Sequence, residues 1–224
     1  MPSPVGHALA GVATMLAADL SHASRSALPG RQSKFALIAG CAAVAMSPDL
    51  DLIWPPLHRG PSHSIGAAIL VTIVATAVTA QVTRRTGRRD WRAAWRLGLL
   101  CGCAYATHLL LDWLGTDRVY APYGIRLLWP FDSGWYVSDW DLFPGTARER
   151  FFTLESIVKN LRAIAQETAI LAPVVAVLWI VRERLRRTYR SLAPTSAPDG
   201  QPPPFAEAAG TVGTWDRQGP RAAR

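Results

Sequence analysis

Residues 65–83 read IGAAILVTIVATAVTAQVT, a run of 19 positions without a charged side chain. A helix of that length crosses the hydrocarbon core of a bilayer, which is about 30 Å thick. Residues 97–111 and 168–181 are also free of formal charge, and two shorter apolar stretches, 4–18 and 35–48, come before the long one. We therefore predict an all-α membrane protein, a polytopic helical bundle with three to five transmembrane or re-entrant helices.

The composition agrees with this class of protein. The 224 residues are 50% hydrophobic and 18% charged, which excludes a disordered or fibrous chain. We predict a membrane-embedded domain over residues 1–190 and a disordered tail over residues 191–224. The tail holds six of the 17 prolines and few large apolar side chains, a composition that does not form a packed core.

The net charge of +8 raises the question of a nucleic-acid partner, so the positions of the basic residues matter. The densest basic cluster, at 84–96, lies between two apolar stretches, where membrane topology and the anionic inner leaflet explain it. We therefore expect the lipid bilayer and no nucleic acid as a partner.

If all five apolar stretches cross the membrane, 17 of the 24 basic residues fall on one side. This bias places the C-terminus in the cytoplasm and the N-terminus outside.

The sharpest functional signal is a pair of ionisable residues inside the fourth apolar stretch. His108 and Asp112 are four residues apart, so both side chains share one helix face and can hold one metal ion. An ionisable group within an apolar span costs about 2.5–3.5 kcal/mol on insertion, which makes it a functional candidate by default. The alternative is a structural contact between the two side chains at a helix interface.

Further ionisable residues lie at the ends of the neighbouring stretches. In the five-helix topology these ends are on the outer side, and His108, about 18 Å from Arg96 along its helix, lies in the outer half as well. Three imidazoles and two or more carboxylates favour Zn²⁺, as one or two ions, with Mn²⁺ or Fe²⁺ as alternatives. The predicted metal ligands are His7, Asp49, His63, His108 and Asp112.

Two residues beside these ligands are predicted to be catalytic. Asp51 or His58 would serve as a general base, as a bridging ligand or as a group that orients a ligand. Arg59, next to His58, and Arg126, in the loop 120–145, are predicted to bind substrate, and the arginine of the loop would take a phosphate. His22 is expected to be an ordinary loop residue.

The aromatic-rich loop at 120–145 is predicted to lie on the outer side, between the last two apolar stretches. It holds three Trp and three Tyr residues, which is typical of an interfacial aromatic belt or a re-entrant cap. The functional alternative assigns a phosphate to Arg126 and gives Asp139 or Asp141 the role of a base or an extra ligand.

At these motifs the chain resembles the membrane-bound metal-dependent hydrolase family, a group of inner-membrane hydrolases also described as LexA-binding. The motifs cover about residues 1–145 in family order and read GHALAG at 6–11, PDLD at 48–51, HRGPSHS at 58–64, HLLLD at 108–112 and YGIRLLWPF at 123–131. The resemblance implies a multi-pass protein of the bacterial inner membrane with a hydrolase-like metal site. It supplies no substrate, and no link to DNA damage is visible in these residues.

The chain is more distantly similar to zinc-dependent phospholipase C and the related zinc nucleases. Asp49, His63, His108 and Asp112 occur in the order and with the approximate spacing of their ligands, after His7. The further His and Glu ligands of a trinuclear site have no clear match, so the similarity implies one or two zinc ions. The carboxylates that could substitute are Glu149, Glu155 and Glu167, or Asp132, Asp139 and Asp141.

The sequence therefore predicts a membrane-bound hydrolase in which metal-activated water attacks an ester. A phosphoester or a lipid headgroup is the expected substrate, because the site would open near the outer leaflet. A metal-binding transport or sensing protein without hydrolytic turnover is the alternative from another class. A structural partner protein with a vestigial site is the third interpretation.

Overall fold

The computed structural model describes most of the chain, namely residues 1–20, 31–53, 58–87, 90–115, 121–147 and 152–192. Its α-helices are α1 (Pro4–Leu20), α2 (Arg31–Met46), α3 (Ile65–Arg85), α4 (Trp91–Leu114) and α5 (Leu154–Leu192). Two 3-10 segments flank them, Ser47–Ile53 directly after α2 and Pro61–His63 shortly before α3. No strand is found in these ranges, only two isolated β-bridges. The predicted all-α fold is confirmed. His22, Arg88, Arg89 and the tail from residue 193 onward lie outside the described residues.

Several helices have the length and apolar character needed to cross a membrane. Within the described ranges there are four, Lys34–Ile53, Ile65–Arg85, Trp91–Leu114 and Leu154–Thr188, whereas α1 is a shorter apolar helix. The number falls within the predicted range of three to five. Large apolar side chains such as Leu70, Val78 and Val177 are exposed along these helices, as expected for surfaces that face lipid.

The fifth apolar helix is much longer than the predicted stretch 168–181. The charged residues Glu167 and Arg182 delimit that stretch, but both side chains are buried between helices, at 0% and 3% exposure. A charge that packs against another helix does not end a helix, so α5 continues in both directions and spans 39 residues.

Helices α1 and α4 form the centre of the bundle. Helix α1 packs against α2, α4 and α5, and α4 packs against α1, α2 and α3. Glycines permit close approach at two of these contacts. A Cβ atom at Gly11 of α1 would overlap the backbone of Cys41 in α2, and one at Gly98 of α4 would overlap the side chain of Thr76 in α3. Small residues at such crossings let two backbones come close together.

Ser62 is a good N-cap by residue type, which predicts that α3 starts with His63 in its first turn, but the helix begins at Ile65. Ser64 is the N-cap, and its hydroxyl oxygen accepts a hydrogen bond from the Ala67 N–H at 3.1 Å. The predicted cap is wrong because Pro61–His63 first form a 3-10 turn. The Ser62 hydroxyl instead donates to Oδ2 of Asp51 at 2.5 Å, so His63 precedes the helix rather than lying in its first turn.

Residues 121–147 form a loop that packs over the end of the bundle where α3 begins and α4 ends. Backbone N–H groups of Ile65 and Gly66 donate to the carbonyl oxygens of Leu127 and Trp129, at 2.8 and 3.1 Å. Ile125 anchors the loop with a fully buried side chain. The loop therefore covers the helix ends on that side. Its role as an interfacial aromatic belt stays a prediction.

A buried ion pair joins α1 to α5 at the opposite end of the bundle. Asp19 accepts hydrogen bonds from Nε of Arg182 and, at 2.7 Å, from Nη2 of Arg186. Both Asp19 and Arg182 are buried, so each charge depends on the other for compensation.

Replacing Asp19 with Ala is expected to lower the free energy of unfolding by about 3–5 kcal/mol, because Arg182 would stay buried without its main partner. Unfolding of the purified protein in detergent measures this loss. Glu183→Ala is the matched control, since Glu183 approaches Arg182 and Arg186 at 3.7 and 3.6 Å from a partly exposed position. A loss below about 1 kcal/mol is expected there. Equal losses in the two variants would contradict a structural role for the buried pair.

Candidate metal centre

The predicted ligands come together at the end of the bundle that the loop covers. His7 lies in the first turn of α1, and His108 and Asp112 lie near the end of α4. Asp49 and His63 lie in the two 3-10 segments, one after α2 and one before α3. Helices that run alternately up and down place these starts and ends side by side. All five residues are therefore neighbours in space, and their binding of a metal stays a prediction.

Asp112 occupies the middle of this cluster. Its Oδ1 is 3.6 Å from Nε2 of His7, and its Oδ2 is 3.3 Å from Nε2 of His63 and 3.1 Å from Nε2 of His108. Asp49 approaches the same three nitrogens at 4.0, 3.7 and 3.8 Å from a partly exposed position. The three imidazoles have no exposed surface, so their Nε2 atoms face the carboxylates and not water.

The spacing of these atoms fits ligands of a shared cation. Ligand atoms about 2.1 Å from a tetrahedral ion lie about 3.4 Å from one another, and the distances from Asp112 to the three imidazoles bracket that value. Within the described ranges, neither ring nitrogen of His7 and neither oxygen of Asp112 has a hydrogen-bond partner. Buried polar atoms without a partner are costly, and a bound ion would satisfy them. Among the residues that the structure describes, two groups of side chains could hold a metal ion, the buried group (His7, His108, Asp112) and the rim group (Asp49, Asp51, His58, His63).

Two imidazole rings direct their lone pairs into the cluster. Nδ1 of His108 lies 2.8 Å from the carbonyl oxygen of Ala45, which can only accept, so Nδ1 carries the proton and Nε2 presents a lone pair. Nδ1 of His63 lies 3.1 Å from Oδ2 of Asp51 in a similar arrangement. The Nε2 atoms of the two rings are 3.1 Å apart. Orientation of an imidazole through its other nitrogen is the usual support for a metal-binding histidine.

The charge around His63 also favours a cation. Burial acts to lower the pKa of His63, but the nearby carboxylates of Asp49 and Asp51 outweigh burial and raise that pKa to about 9. The carboxylates thus favour a positive charge at this ring, from a proton or from a metal ion that takes its place at Nε2.

The Asp51 carboxylate accepts several hydrogen bonds at the rim of the cluster. Its Oδ1 accepts from Nδ1 of His58 at 2.5 Å, and its Oδ2 accepts from the Ser62 hydroxyl at 2.5 Å and the Arg59 N–H at 3.3 Å. Its contact with Nδ1 of His63 makes it a carboxylate that orients a ligand candidate. Of the roles predicted for Asp51 this geometry favours orientation, and the rim group leaves a second ion as an alternative.

The arginines predicted to bind substrate lie next to Asp51, outside the cluster. The Arg126 N–H donates to the Arg59 carbonyl oxygen at 3.3 Å, and the Arg59 N–H donates to Asp51. The Arg126 guanidinium lies over the Trp135 ring, with Cζ 5.2 Å from the ring centroid. In the described part of the chain its Nε is buried without a hydrogen-bond partner. Such an N–H group is available to an anionic oxygen.

The carboxylates named as substitute ligands do not join either group, as far as the described ranges extend. Those on the surface are Asp132, Asp139, Asp141 and Glu155. Glu149 lies outside the described residues. Glu167 is buried, and its carboxylate accepts hydrogen bonds from Ser3.

Two residues near the site are absent from the sequence predictions. Ser3 caps α1, and a serine followed by Pro4 at the first helical position is a recognisable N-terminal signal. Met1 places its sulfur 3.2 Å from Nε2 of His58. No local pattern indicates that second contact, because it joins residues 57 positions apart.

Apolar helices around a buried histidine and aspartate centre define a multi-pass membrane protein with a site that could hold a metal ion. Residues 1–188 match the family described as YdjM inner membrane protein, and the chain belongs to that family. The matched region contains every predicted ligand. Searches of curated proteins and of solved structures return no match. The predicted inner-membrane, multi-pass location is confirmed by the family and the helices together.

Proposed function

We propose that this chain is a membrane-bound metal-dependent hydrolase that acts on an ester. The observation that carries the proposal is the close approach of two buried imidazoles, with Nε2 of His63 and Nε2 of His108 3.1 Å apart and Asp112 within 3.3 Å of both. The family lies in the membrane-associated metal-dependent hydrolase group, which supports the reaction class.

The ligand set favours zinc. His7, His63 and His108 offer three nitrogens, and Asp49 and Asp112 offer carboxylate oxygens, a mixed set that suits Zn²⁺ better than Ca²⁺ or Mg²⁺. One ion would take its ligands from these five side chains, and a second ion would use the rim group, which shares Asp49 and His63 with them. Mn²⁺ or Fe²⁺ are the alternatives for the same ligands.

A bound divalent ion supplies a Lewis acid that activates water and polarises an ester oxygen. The rim residues Asp51 and His58 would accept the proton of the attacking water. Asp51 accepts from Nδ1 of His58, so Nε2 of that ring, 3.2 Å from the Met1 sulfur, presents the lone pair of a base. Both side chains are about one-tenth exposed, in contrast to the buried imidazoles. Water and substrate therefore reach the centre from the side of Asp51 and His58.

A phosphoester or a lipid headgroup is the substrate class that the surroundings favour. The centre lies where helices begin and end, which is the depth of lipid headgroups. The Arg126 guanidinium has a buried Nε without a protein acceptor in the described part of the chain, and the Arg126 backbone N–H donates to the Arg59 carbonyl oxygen. Arginine binds phosphate oxygens through such N–H groups.

The site is proposed to face the outer side of the inner membrane. Basic residues collect at the other end of the bundle, where α3 ends at Arg84 and Arg85 and α4 begins before Arg92 and Arg96. Positively charged ends stay in the cytoplasm, so the cluster lies on the opposite side and the C-terminus is cytoplasmic.

Asp51→Asn is expected to lower ester hydrolysis at least about 100-fold while it changes the metal content little. The amide keeps the size of the side chain but loses the charge that orients His58 and His63. The assay follows hydrolysis of bis(p-nitrophenyl) phosphate and of a p-nitrophenyl ester by zinc-loaded protein in detergent, with metal content measured in the same samples.

Asp132→Asn is the matched control, because Asp132 is exposed and outside both groups. It should keep wild-type turnover and metal. Unchanged turnover in Asp51→Asn would contradict the role of Asp51. A wild-type protein that binds metal but hydrolyses neither substrate would favour the alternative, a metal-binding transport or sensing protein.

A further inference from the structure

We propose that Glu167 of α5 is a positioning residue for the metal centre, which fixes the start of α1 and thereby holds His7 in place. The inference rests on the metal site of the proposed function. Glu167 has no exposed surface, lies in a helix long enough to span the membrane, and belongs to neither ligand group. A buried carboxylate at such a place is costly and therefore calls for a role.

Among the described residues, the hydrogen bonds of Glu167 go to Ser3, the residue directly before α1. Its Oε1 accepts a hydrogen bond from the Ser3 N–H at 2.8 Å, and its Oε2 accepts one from the Ser3 hydroxyl. Among the described residues it forms no ion pair, so Ser3 is its partner. A carboxylate at a helix N-terminus is also favoured by the helix dipole.

Ser3 in turn forms hydrogen bonds with the backbone of Gly6 and His7. Its hydroxyl oxygen accepts from the Gly6 N–H at 3.3 Å, and its carbonyl oxygen accepts from the His7 N–H at 3.3 Å. Gly6 permits the contact, because a Cβ atom there would lie 2.6 Å from Oε2 of Glu167. The carboxylate is thus packed directly against the backbone that carries His7.

His7 needs such a restraint more than the other two imidazoles do. His108 is oriented by the Ala45 carbonyl and His63 by Asp51. In the described part of the chain, neither ring nitrogen of His7 has a hydrogen-bond partner, and its ring stacks on that of His108 with centroids 3.7 Å apart. The position of Nε2 of His7 therefore depends on the backbone of α1.

The test is the affinity for Zn²⁺, measured by competition with a chromophoric chelator on the full chain in detergent. Glu167→Ala should weaken Zn²⁺ binding about 10–100-fold, the usual effect of removing a group that supports a ligand. Glu167→Gln should stay within about threefold of wild type, because its amide can accept from the Ser3 N–H and donate to the Ser3 hydroxyl. Glu155→Ala, an exposed position on the same helix, should change nothing.

A double-mutant cycle separates positioning from a general structural role. In a His7→Ala background, Glu167→Ala should weaken the remaining affinity less than about twofold, because the ring that it positions is already gone. If Glu167→Ala does not fold, Ser3→Ala replaces it in the test. This variant removes the hydroxyl that joins Glu167 to the Gly6 N–H, and the same non-additive loss of Zn²⁺ affinity is expected.

Two results would overturn the inference alone: wild-type affinity in Glu167→Ala, or an equal loss with and without His7. A wild-type protein that takes up no Zn²⁺ would overturn the proposed function and this inference with it. The measurement of the wild type therefore tells the two failures apart.

Discussion

His108→Ala is expected to weaken Zn²⁺ binding by at least about 100-fold, which corresponds to about 2.7 kcal/mol. Nε2 of His108 is 3.1 Å from both Nε2 of His63 and Oδ2 of Asp112, and its loss removes a ligand from the middle of the set. Removing a group that only hydrogen-bonds to a metal ligand already weakens metal binding about 10–100-fold. Membrane insertion should be unaffected, because alanine is apolar and favours a helix. Competition titration in detergent measures the affinity, and membrane fractionation checks insertion.

His58→Ala is the matched control for this variant. Its imidazole lies at the rim and hydrogen-bonds Asp51 through Nδ1, so the affinity of the buried site should fall by less than about tenfold. A loss of one of two bound equivalents would instead show that the rim group holds an ion of its own. Full metal content in His108→Ala would contradict the assignment of His108 as a ligand.

Gly11→Leu is expected to prevent the native packing of α1 on α2 and to abolish metal binding. A Cβ atom at Gly11 would overlap the backbone of Cys41 and lie 2.9 Å from Cα of Ala42. Backbone atoms cannot rotate away as side chains do, so the two helices must separate. Overpacking costs about 1–3 kcal/mol where side chains can adjust, and more is expected here. Helix α1 carries His7 and the 3-10 segment directly after α2 carries Asp49, so the two predicted ligands would move apart.

Gly40→Leu is the matched control for the glycine at the helix crossing. A Cβ atom at Gly40, next to Cys41, meets nothing within 4 Å. The same substitution there should leave folding and metal content unchanged. Folding is measured as the monodisperse fraction in size-exclusion chromatography and as thermal unfolding. Wild-type behaviour of Gly11→Leu would contradict the close approach of α1 and α2.

The helical class and the convergence of the predicted ligands were predictable from the sequence, because both depend on spacing along the chain. The 19 uncharged positions at 65–83 are long enough for a span by length alone. The four-residue spacing of His108 and Asp112 fixes a shared helix face. Alternation of the apolar stretches then brings His7, Asp49 and His63 to the same end, and in the structure the Asp49 carboxylate lies 4.0 Å from Nε2 of His7 and 3.7 Å from Nε2 of His63.

The predicted length of α5 was wrong because two of its charged side chains have partners that are far away in the sequence. Glu167 and Arg182 read as the ends of a span, but Ser3 and Asp19 pair with them across the α1–α5 interface. Their partners are more than 160 positions away in the sequence, so no local pattern indicates that they are buried. The length of α5 was therefore underestimated.

The N-cap of α3 shows a second kind of limit. Ser62 and Ser64 are both good capping residues, and local preference does not choose between them. The hydrogen bond from the Ser62 hydroxyl to Asp51 determines which serine caps the helix, because Ser62 is engaged there and Ser64 is the N-cap. The hydrogen bonds of Asp51 likewise favour a role in orienting neighbouring side chains, a distinction that residue types alone leave open.

The most direct test of the metal centre is the metal content of detergent-purified protein by mass spectrometry. Wild-type protein should be compared with the His108→Ala/Asp112→Ala double variant, before and after exposure to Zn²⁺. We predict one to two equivalents of zinc, or of manganese or iron, in the wild type and almost none in the double variant. A wild-type protein that remains empty after exposure to Zn²⁺ would contradict the metal centre, and the cluster would then be a structural contact between buried side chains.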